Sequence, residues 1–252
     1  LGLSHYELKQ YREAADQMRQ CLAKLKQPAL SPINTDILTA APHHCLALSL
    51  AKLNDAAGAE KAFQAGLASA AKTEDLRVDY ARFLVAQGRP VEALQRLHEV
   101  VQQNAKHALA WRLGGEIALS QPAFLEFARD WTNEAVRQLP EEKPILAQRA
   151  EALLLSQQIS PARPLWERAC NGSRAPQALA AIILCATVES RNVPRLQNAS
   201  EELAVSRAFL DWYRRLVAFE ARDTVLQVNQ QLGVLGEILP SAARVLESVR
   251  DE

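Results

Sequence analysis

The residues best suited to chemistry are the adjacent side chains of His43, His44 and Cys45. Imidazole and thiolate groups bind transition metals, and a cysteine activated by a histidine can act as a nucleophile. Neighbouring helical residues point about 100° apart, so two adjacent imidazoles are poorly placed to share one ion. No Asp or Glu follows either histidine at a spacing of three or four residues. We therefore interpret the histidines as ordinary residues at the start of a helix and expect no metal site.

Other arrangements typical of catalysis or cofactor binding are missing from the sequence. No serine and carboxylate accompany His98 or His107 in a recognisable triad. Gly114-Gly115 has neither the preceding strand nor the following Gly-Lys-Ser/Thr of a phosphate-binding loop. The cysteines form no Cys-x-x-Cys pair, and we expect reduced thiols at Cys21, Cys45, Cys170 and Cys185. The sequence predicts no enzyme, no metal and no cofactor.

Composition narrows the class of protein further. The 252 residues carry 29 basic and 29 acidic side chains, a balance that argues against a general nucleic-acid binder. With 6% aromatic residues and 9 glycines, the chain is a poor candidate for an all-β fold. No apolar run approaches the roughly 20 residues of a membrane span. Because Met18 is the only methionine, we expect a fragment, from which any N-terminal signal would be missing. The expected reduced thiols favour a cytoplasmic protein.

A repeat period is visible in the alanines. Intervals of 34, 35 and 34 residues separate Ala59, Ala93, Ala128 and Ala162. A large apolar residue follows three of them four positions later, as in Ala59 with Phe63. Each period contains two apolar stretches with helical spacing, and in the third unit they are separated by Gln87-Gly88-Arg89-Pro90. Glycine ending one helix and proline opening the next are typical of a tight helical hairpin.

Two mid-helix glycines in the fourth unit need a physical reason. Gly114 and Gly115 lower helix stability by about 1–2 kcal/mol relative to alanine. Close packing against a neighbouring helix would offset this cost, and we expect such a contact at both residues.

The pattern resembles the tetratricopeptide repeat, a family of 34-residue helix-turn-helix units with aromatic, small and proline residues at fixed offsets. The fourth unit is most similar, with Trp111, Gly114-Gly115, Ala118, Ala128, Ala135 and Pro140. It departs from the family pattern by an extra residue near Gln121-Pro122 and by Thr132 in place of an aromatic residue. The resemblance implies an all-α fold, a right-handed α-solenoid of about six helical hairpins with C-terminal capping helices.

The same resemblance sets the expected domains. It covers residues 1–205, and its sixth, degenerate unit runs through Ile183, Leu184, Leu196 and Leu203. The interval of 45 residues between Ala14 and Ala59 predicts an extended inter-helix connection near residues 27–42, with one short helix near Asn34 to Thr39. Residues 206–252 are dense in apolar side chains and are predicted to form the capping helices.

The resemblance further implies a concave groove lined by the first helix of each hairpin. The family's groove-facing offsets fall here on His44, Lys52, Asp79, Arg82, Arg112, Glu116, Gln148 and Glu151, with Leu48 on the same face. Because the charges alternate in sign, we expect an amphoteric groove. The asparagines with which some members bind the acidic C-termini of chaperones are absent at these offsets. Arg82 and Arg112 are the strongest candidates for partner contacts, since arginine is enriched at binding hot spots.

The predicted function is a protein-interaction scaffold that binds a partner peptide or helix in this groove. Two alternatives are open. The chain would be the regulatory or substrate-recognition repeat region of a larger enzyme, for example a glycosyltransferase. Or it would be a self-associating assembly factor that forms a homodimer through its C-terminal helices. The sequence does not identify the partner.

Overall fold

The computed structural model describes residues 2–25, 35–69 and 73–250. These residues form α-helices and one short 3-10 helix, and no β-strand occurs among them. The chain divides into two compact units, Leu1–Ala110 and Trp111–Glu252, called here the N-terminal and C-terminal units. The predicted all-α repeat fold is confirmed.

The N-terminal unit consists of helical hairpins. Its helices are α1 (Gly2–Glu7), α2 (Tyr11–Leu25), α3 (Thr35–Lys52), α4 (Ala56–Ser69), α5 (Glu74–Ala86), α6 (Pro90–Gln103) and the start of α7 (Ala108–Ala118). They pack in consecutive pairs, α1 on α2, α3 on α4 and α5 on α6. Pro90 stands at the first position of α6, where its missing N–H would have had no partner within the helix.

The C-terminal unit continues the hairpins and then departs from them. After α7 come a 3-10 helix (Pro122–Phe124), α8 (Leu125–Gln138), α9 (Lys143–Leu155), α10 (Ile159–Cys170), α11 (Pro176–Val188), α12 (Ala199–Ala218), α13 (Arg222–Gln230), α14 (Leu232–Ile238) and α15 (Pro240–Arg250). Helix α11 is buried on almost every side, from Leu179 to Thr187. It lies in the centre of the core and packs against α10, α12 and α13.

The periodic alanines occupy equivalent places in the second helix of each hairpin. Their side chains are fully buried at 0% exposure in Ala14, Ala59, Ala93, Ala128 and Ala162. A methyl group lets two helices approach closely, and the large residue four positions on fills the space beside it. Phe63 and Leu97 are themselves fully buried. The predicted register is confirmed.

The turns between helices repeat as well. In the turn after α5, Gly88 adopts φ +73°, its N–H donates to the carbonyl of Val85, and the N–H of Arg89 donates to that of Leu84. This is the Schellman arrangement, in which a left-handed residue satisfies the last carbonyls of a helix. The same bond pattern and a positive φ recur at Lys9, Asn54, Gln157, Ser190 and Glu220. The predicted hairpin turn at Gly88 is therefore confirmed, and most of its equivalents do without glycine.

Three expectations about boundaries need correction. Residues 27–34 of the predicted connection lie outside the described residues. Residues 35–42 belong to α3, so the helix predicted near Asn34 to Thr39 is the start of a longer one and not a short helix within a connection. Pro42, the last residue of that predicted connection, is buried inside α3. Leu196 lies in the connection between α11 and α12 and not in a helix.

The predicted boundary at 205/206 falls inside α12. The stripe of Val205, Phe209, Trp212 and Leu216, spaced at three or four residues, is buried along one face and carries the helix across that point. The capping role of residues 206–252 stays a prediction.

Candidate partner-binding site

A cleft of about 710 Å³ opens in the N-terminal unit and is lined by residues of α1, α3, α4 and α5. We call it the α3–α5 cleft. Its floor is aromatic: Phe63 and Phe83 are buried, with ring centroids 5.5 Å apart. Tyr80 stacks on Phe63 at 4.9 Å and supports this floor from α5. Interlocked rings of this kind make the floor of the cleft rigid.

Three charged residues line the cleft, namely Lys52, Asp79 and Arg82, and both carboxylate oxygens of Asp79 have partners within the protein. Asp79 Oδ2 lies 2.9 Å from His44 Nε2, and Asp79 Oδ1 accepts a hydrogen bond of 3.0 Å from Arg82 Nη1. Burial alone would raise the pKa of Asp79, but the hydrogen bonds and charges of His44 and Arg82 outweigh it and lower that pKa. Asp79 is therefore ionised at neutral pH and orients both of its partners.

The structure thus brings together the four predicted groove residues of the N-terminal unit. Lys52, Asp79 and Arg82 line the cleft, and His44 is joined to it through Asp79. Leu48 lines it too. The carboxylate partner of His44 lies on another helix, where local spacing in the sequence could not reveal it.

The four predicted residues of the C-terminal unit have different surroundings. Arg112 and Glu116 lie exposed on α7. Gln148, on α9, donates a hydrogen bond of 2.7 Å to the backbone carbonyl of Arg112. Its amide also fills the space beside Gly115, where an added Cβ would lie 2.5 Å from Oε1. Gln148 therefore packs α9 onto α7, which leaves less of it for a partner.

Glu151 is also engaged within the protein. Its Oε1 lies 2.5 Å from Nη2 of Arg215 on α12, and only 15% of its side chain is exposed. Arg215 also donates to the carbonyl of Leu119 and lies over the rings of Trp212 and Phe219. Burial raises the pKa of Glu151, and the charge and hydrogen bond of Arg215 oppose that rise. Glu151 and Arg215 form an internal clamp between α9 and α12.

Sequence reasoning missed several cleft and clamp residues. Tyr6 of α1 lines the cleft, and its pKa is raised by burial and by neighbouring Tyr11. A signal for Phe83 was present, since Tyr80 and Phe83 are aromatic residues three positions apart on one helix face. Arg215 lies 64 residues beyond Glu151, so no local pattern connects the two.

The mid-helix glycines have the close contacts expected of them. A Cβ on Gly114 would lie 2.2 Å from Cζ2 of Trp131, whose indole N–H donates to the carbonyl of Trp111 at 2.9 Å. The aromatic residue that the family pattern places at Thr132 is thus supplied by Trp131, one position earlier.

The cysteines of the described part of the chain are free thiols. All four cysteines fall within the described residues, and none forms a disulfide. Burial raises the pKa of Cys185 to about 12, so it stays a thiol at neutral pH. Within residues 2–25, 35–69 and 73–250, no cluster of three His, Cys, Asp or Glu side chains is arranged to hold a metal ion. No helix in the described part of the chain is long and apolar enough to cross a membrane.

Residues 50–117, which include α4, α5 and α6, match the family model described as Tetratricopeptide repeat. The resemblance to the tetratricopeptide repeat that the sequence predicts is therefore confirmed. No curated protein matches its sequence. Tetratricopeptide-repeat proteins are generally non-catalytic interaction scaffolds.

Solved structures share the fold over most of the chain. PilF of Pseudomonas aeruginosa is similar with a TM-score of 0.56 and 18% identity, covering 91% of this chain and 93% of PilF. A tetratricopeptide repeat protein from Parabacteroides merdae gives 0.57 and 12%, covering 89% of this chain and 90% of its own. PilW, a type IV pilus biogenesis factor, gives 0.51 and 14%, covering 90% and 94%. At these identities the similarity shows the fold alone.

Proposed function

We propose that this tetratricopeptide-repeat protein is an interaction scaffold that holds a peptide or helix of a partner protein in the α3–α5 cleft. The observation that supports this most is the meeting of Lys52, Asp79 and Arg82 around one cleft with an aromatic floor. Its volume of about 710 Å³ is within the usual range for ligand pockets. Proteins of this fold bind other proteins, so a peptide is the natural occupant.

The cleft is built before any partner arrives. Phe63, Tyr80 and Phe83 form a packed aromatic layer beneath the cleft, so the lining that a partner would meet rests on a rigid support. The hydrogen bond that Arg82 donates to Asp79 fixes the orientation of the guanidinium, whose other N–H groups would donate to the partner. Preorganisation of this kind improves affinity, because less side-chain entropy is lost on binding.

The test selects short random peptides displayed on phage against the full chain. We expect a family of related peptides to be enriched and to bind in fluorescence anisotropy. The variant Ala86→Trp, which fills the exposed rim of the cleft, should abolish that binding. Val85→Trp is the matched control, because Val85 is exposed on the same helix but does not line the cleft. Failure to enrich any peptide family, or equal binding to both variants, refutes the proposal.

Arg112 and Glu116 are proposed as further contacts for a partner of the C-terminal unit, since both side chains are exposed. Arg112→Glu should weaken the capture of a full partner protein. Glu151→Gln should instead change the stability of the fold, because Glu151 is paired with Arg215 inside the protein. The two alternatives, a repeat region of a larger enzyme and a self-associating assembly factor, stay predictions.

A further inference from the structure

The charges that line the α3–α5 cleft are not equally available to a ligand. Both carboxylate oxygens of Asp79 are occupied, one by His44 and one by Arg82. Lys52 is exposed and forms no ion pair with any described side chain. The side chain of Arg82 is 51% exposed, and only its Nη1 is used by Asp79. The charged groups of the cleft that are left free to bind a ligand are therefore both cationic.

Acidic residues close to the cleft do little to offset the positive charge of Lys52 and Arg82. Glu60 lies behind Phe63 on α4 and is paired with Arg89 at 2.8 Å. Asp55 is exposed between the cleft-lining residues Asn54 and Ala56, but its carboxylate accepts a hydrogen bond from the N–H of Gly58 at the start of α4 and does not line the cleft. Glu7 is exposed on α1 and does not line the cleft. The amphoteric groove expected from the alternating charges becomes, at this cleft, a cationic rim over an aromatic floor.

We infer that the α3–α5 cleft selects a peptide segment in which an Asp or Glu side chain stands next to a bulky apolar residue. This inference rests on the proposed function of the cleft. The apolar side chain packs on the accessible apolar lining of the cleft at Leu48, Ala51 and Ala86, and the carboxylate accepts hydrogen bonds from Arg82 and Lys52. A basic peptide is disfavoured, because it would face both cations and find Asp79 already paired.

The first test is the composition of the peptides enriched on the wild-type chain. We expect Asp or Glu beside Phe, Trp, Leu or Ile in the enriched family. Replacing that acidic residue by its amide should weaken binding about tenfold, the size expected for one charge-assisted hydrogen bond. Amidation of the peptide C-terminus should leave binding unchanged, because a side-chain carboxylate is recognised. Loss of binding on amidation would assign the contact to a chain terminus and overturn the inference.

Charge reversal on the protein supplies the second test. Arg82→Glu and Lys52→Glu should each weaken the binding of the acidic peptide, about tenfold or more for Arg82 and several-fold for Lys52. Lys61→Glu is the matched control, since Lys61 is an exposed lysine of α4 outside the cleft, and it should change binding less than twofold. Circular dichroism confirms that each variant is folded. Lys52→Glu remains informative if Arg82→Glu disturbs Asp79.

The outcomes separate the inference from the proposed function. Enrichment of basic or uncharged peptides, with binding still abolished by Ala86→Trp, overturns the acidic preference and keeps the cleft as a binding site. Affinity that does not fall as salt rises also contradicts the preference, because exposed ion pairs are screened. If no peptide binds at the cleft, the proposed function itself is refuted.

Discussion

Replacement of Arg215 by methionine tests whether the buried carboxylate of Glu151 depends on its charge partner. Methionine keeps much of the length and apolar character of the arginine stem but removes the guanidinium. Glu151 is then left with 15% of its side chain exposed and without the cation that lies 2.5 Å away in the wild type. An unpaired buried charge is among the most destabilising changes in a protein.

The size of the loss follows from the burial of the pair. Breaking a buried ion pair by removing one partner costs about 3–5 kcal/mol. Because 38% of the Arg215 side chain is exposed, solvent screening reduces this figure, and we expect about 2–3 kcal/mol at neutral pH. Part of that loss is not ionic. Arg215 also donates to the carbonyl of Leu119 at 2.8 Å and lies 5.5 Å from the centre of the Trp212 ring, contacts together worth about 1 kcal/mol.

The pH dependence isolates the ionic part. Burial raises the pKa of Glu151 in the folded state, so ionisation of this group weakens folding as pH rises through that pKa. Without Arg215 to oppose it, the pKa of Glu151 rises further, and the dependence becomes steeper. The difference between wild type and Arg215→Met should be full near pH 8 and shrink toward about 1 kcal/mol at an acidic pH, where Glu151 is protonated.

The assay is urea unfolding followed by tryptophan fluorescence at the two pH values. All four tryptophans, Trp111, Trp131, Trp166 and Trp212, belong to the C-terminal unit, so the signal reports on the unit that contains the clamp. Adding Glu151→Gln to Arg215→Met should restore most of the lost stability, because the buried charge is then gone. An equal loss at both pH values, or no recovery in the double variant, would mean that Arg215 acts through packing alone.

Three further predictions concern glycines and helix ends. Gly114→Ala should lower the free energy of unfolding by about 1–3 kcal/mol, since its Cβ would overlap Trp131. Gly233→Ala in α14 should raise it by up to about 1 kcal/mol, because no atom lies within 4 Å of the added Cβ. Equal effects of the two variants in urea unfolding would contradict the packing account. Gly88→Ala should lower the free energy of unfolding by about 1 kcal/mol, because alanine disfavours the left-handed backbone of this position, and the melting temperature should fall. Lys9→Gly should raise the free energy of unfolding by about half as much, and the melting temperature should rise. Burial opposes ionisation of Glu202, but bonds from Ser206 and Ser241 outweigh it and lower its pKa. Glu202→Gln should therefore cost about 1 kcal/mol at neutral pH, and the difference should disappear in acid as the wild type protonates; a constant difference in pH-resolved unfolding would contradict this.

Much of the architecture was predictable because it repeats. Alanines at 34- and 35-residue intervals mark places where two helices nearly touch, and a larger side chain there would be excluded in every unit alike. Gly88 followed by Pro90 marks a helix end for reasons local to a few residues. The position of Leu196 was misjudged for the opposite reason. The period was extended into a unit whose connection, residues 189–198, is longer than a hairpin turn.

For the candidate site, the sequence predicted which helix faces would line it but not which contacts its side chains would make. Offsets from the family pattern placed Asp79 and Arg82 on the face of α5 that lines the cleft. They did not show that His44 would use one oxygen of Asp79, because that contact joins residues 35 positions apart in sequence. Phe63, predicted as the large residue that follows Ala59, is fully buried, and the prediction missed only that Tyr80 and Phe83 pack against it beneath the cleft.

An offset inherited from a repeat family therefore specifies where a side chain points but not whether it is free. Glu151 occupies a groove-facing offset, yet the long helix α12 that follows the hairpins supplies Arg215 and takes that carboxylate into an internal clamp. Lys52 occupies a comparable offset and meets no counter-charge in the described part of the chain. The two positions are equivalent in the repeat pattern and opposite in chemistry, because the neighbours that decide their state come from outside their own unit. For this reason the binding residues of such a protein have to be identified as the groove-facing side chains that have no ion-pair or hydrogen-bond partner within the protein.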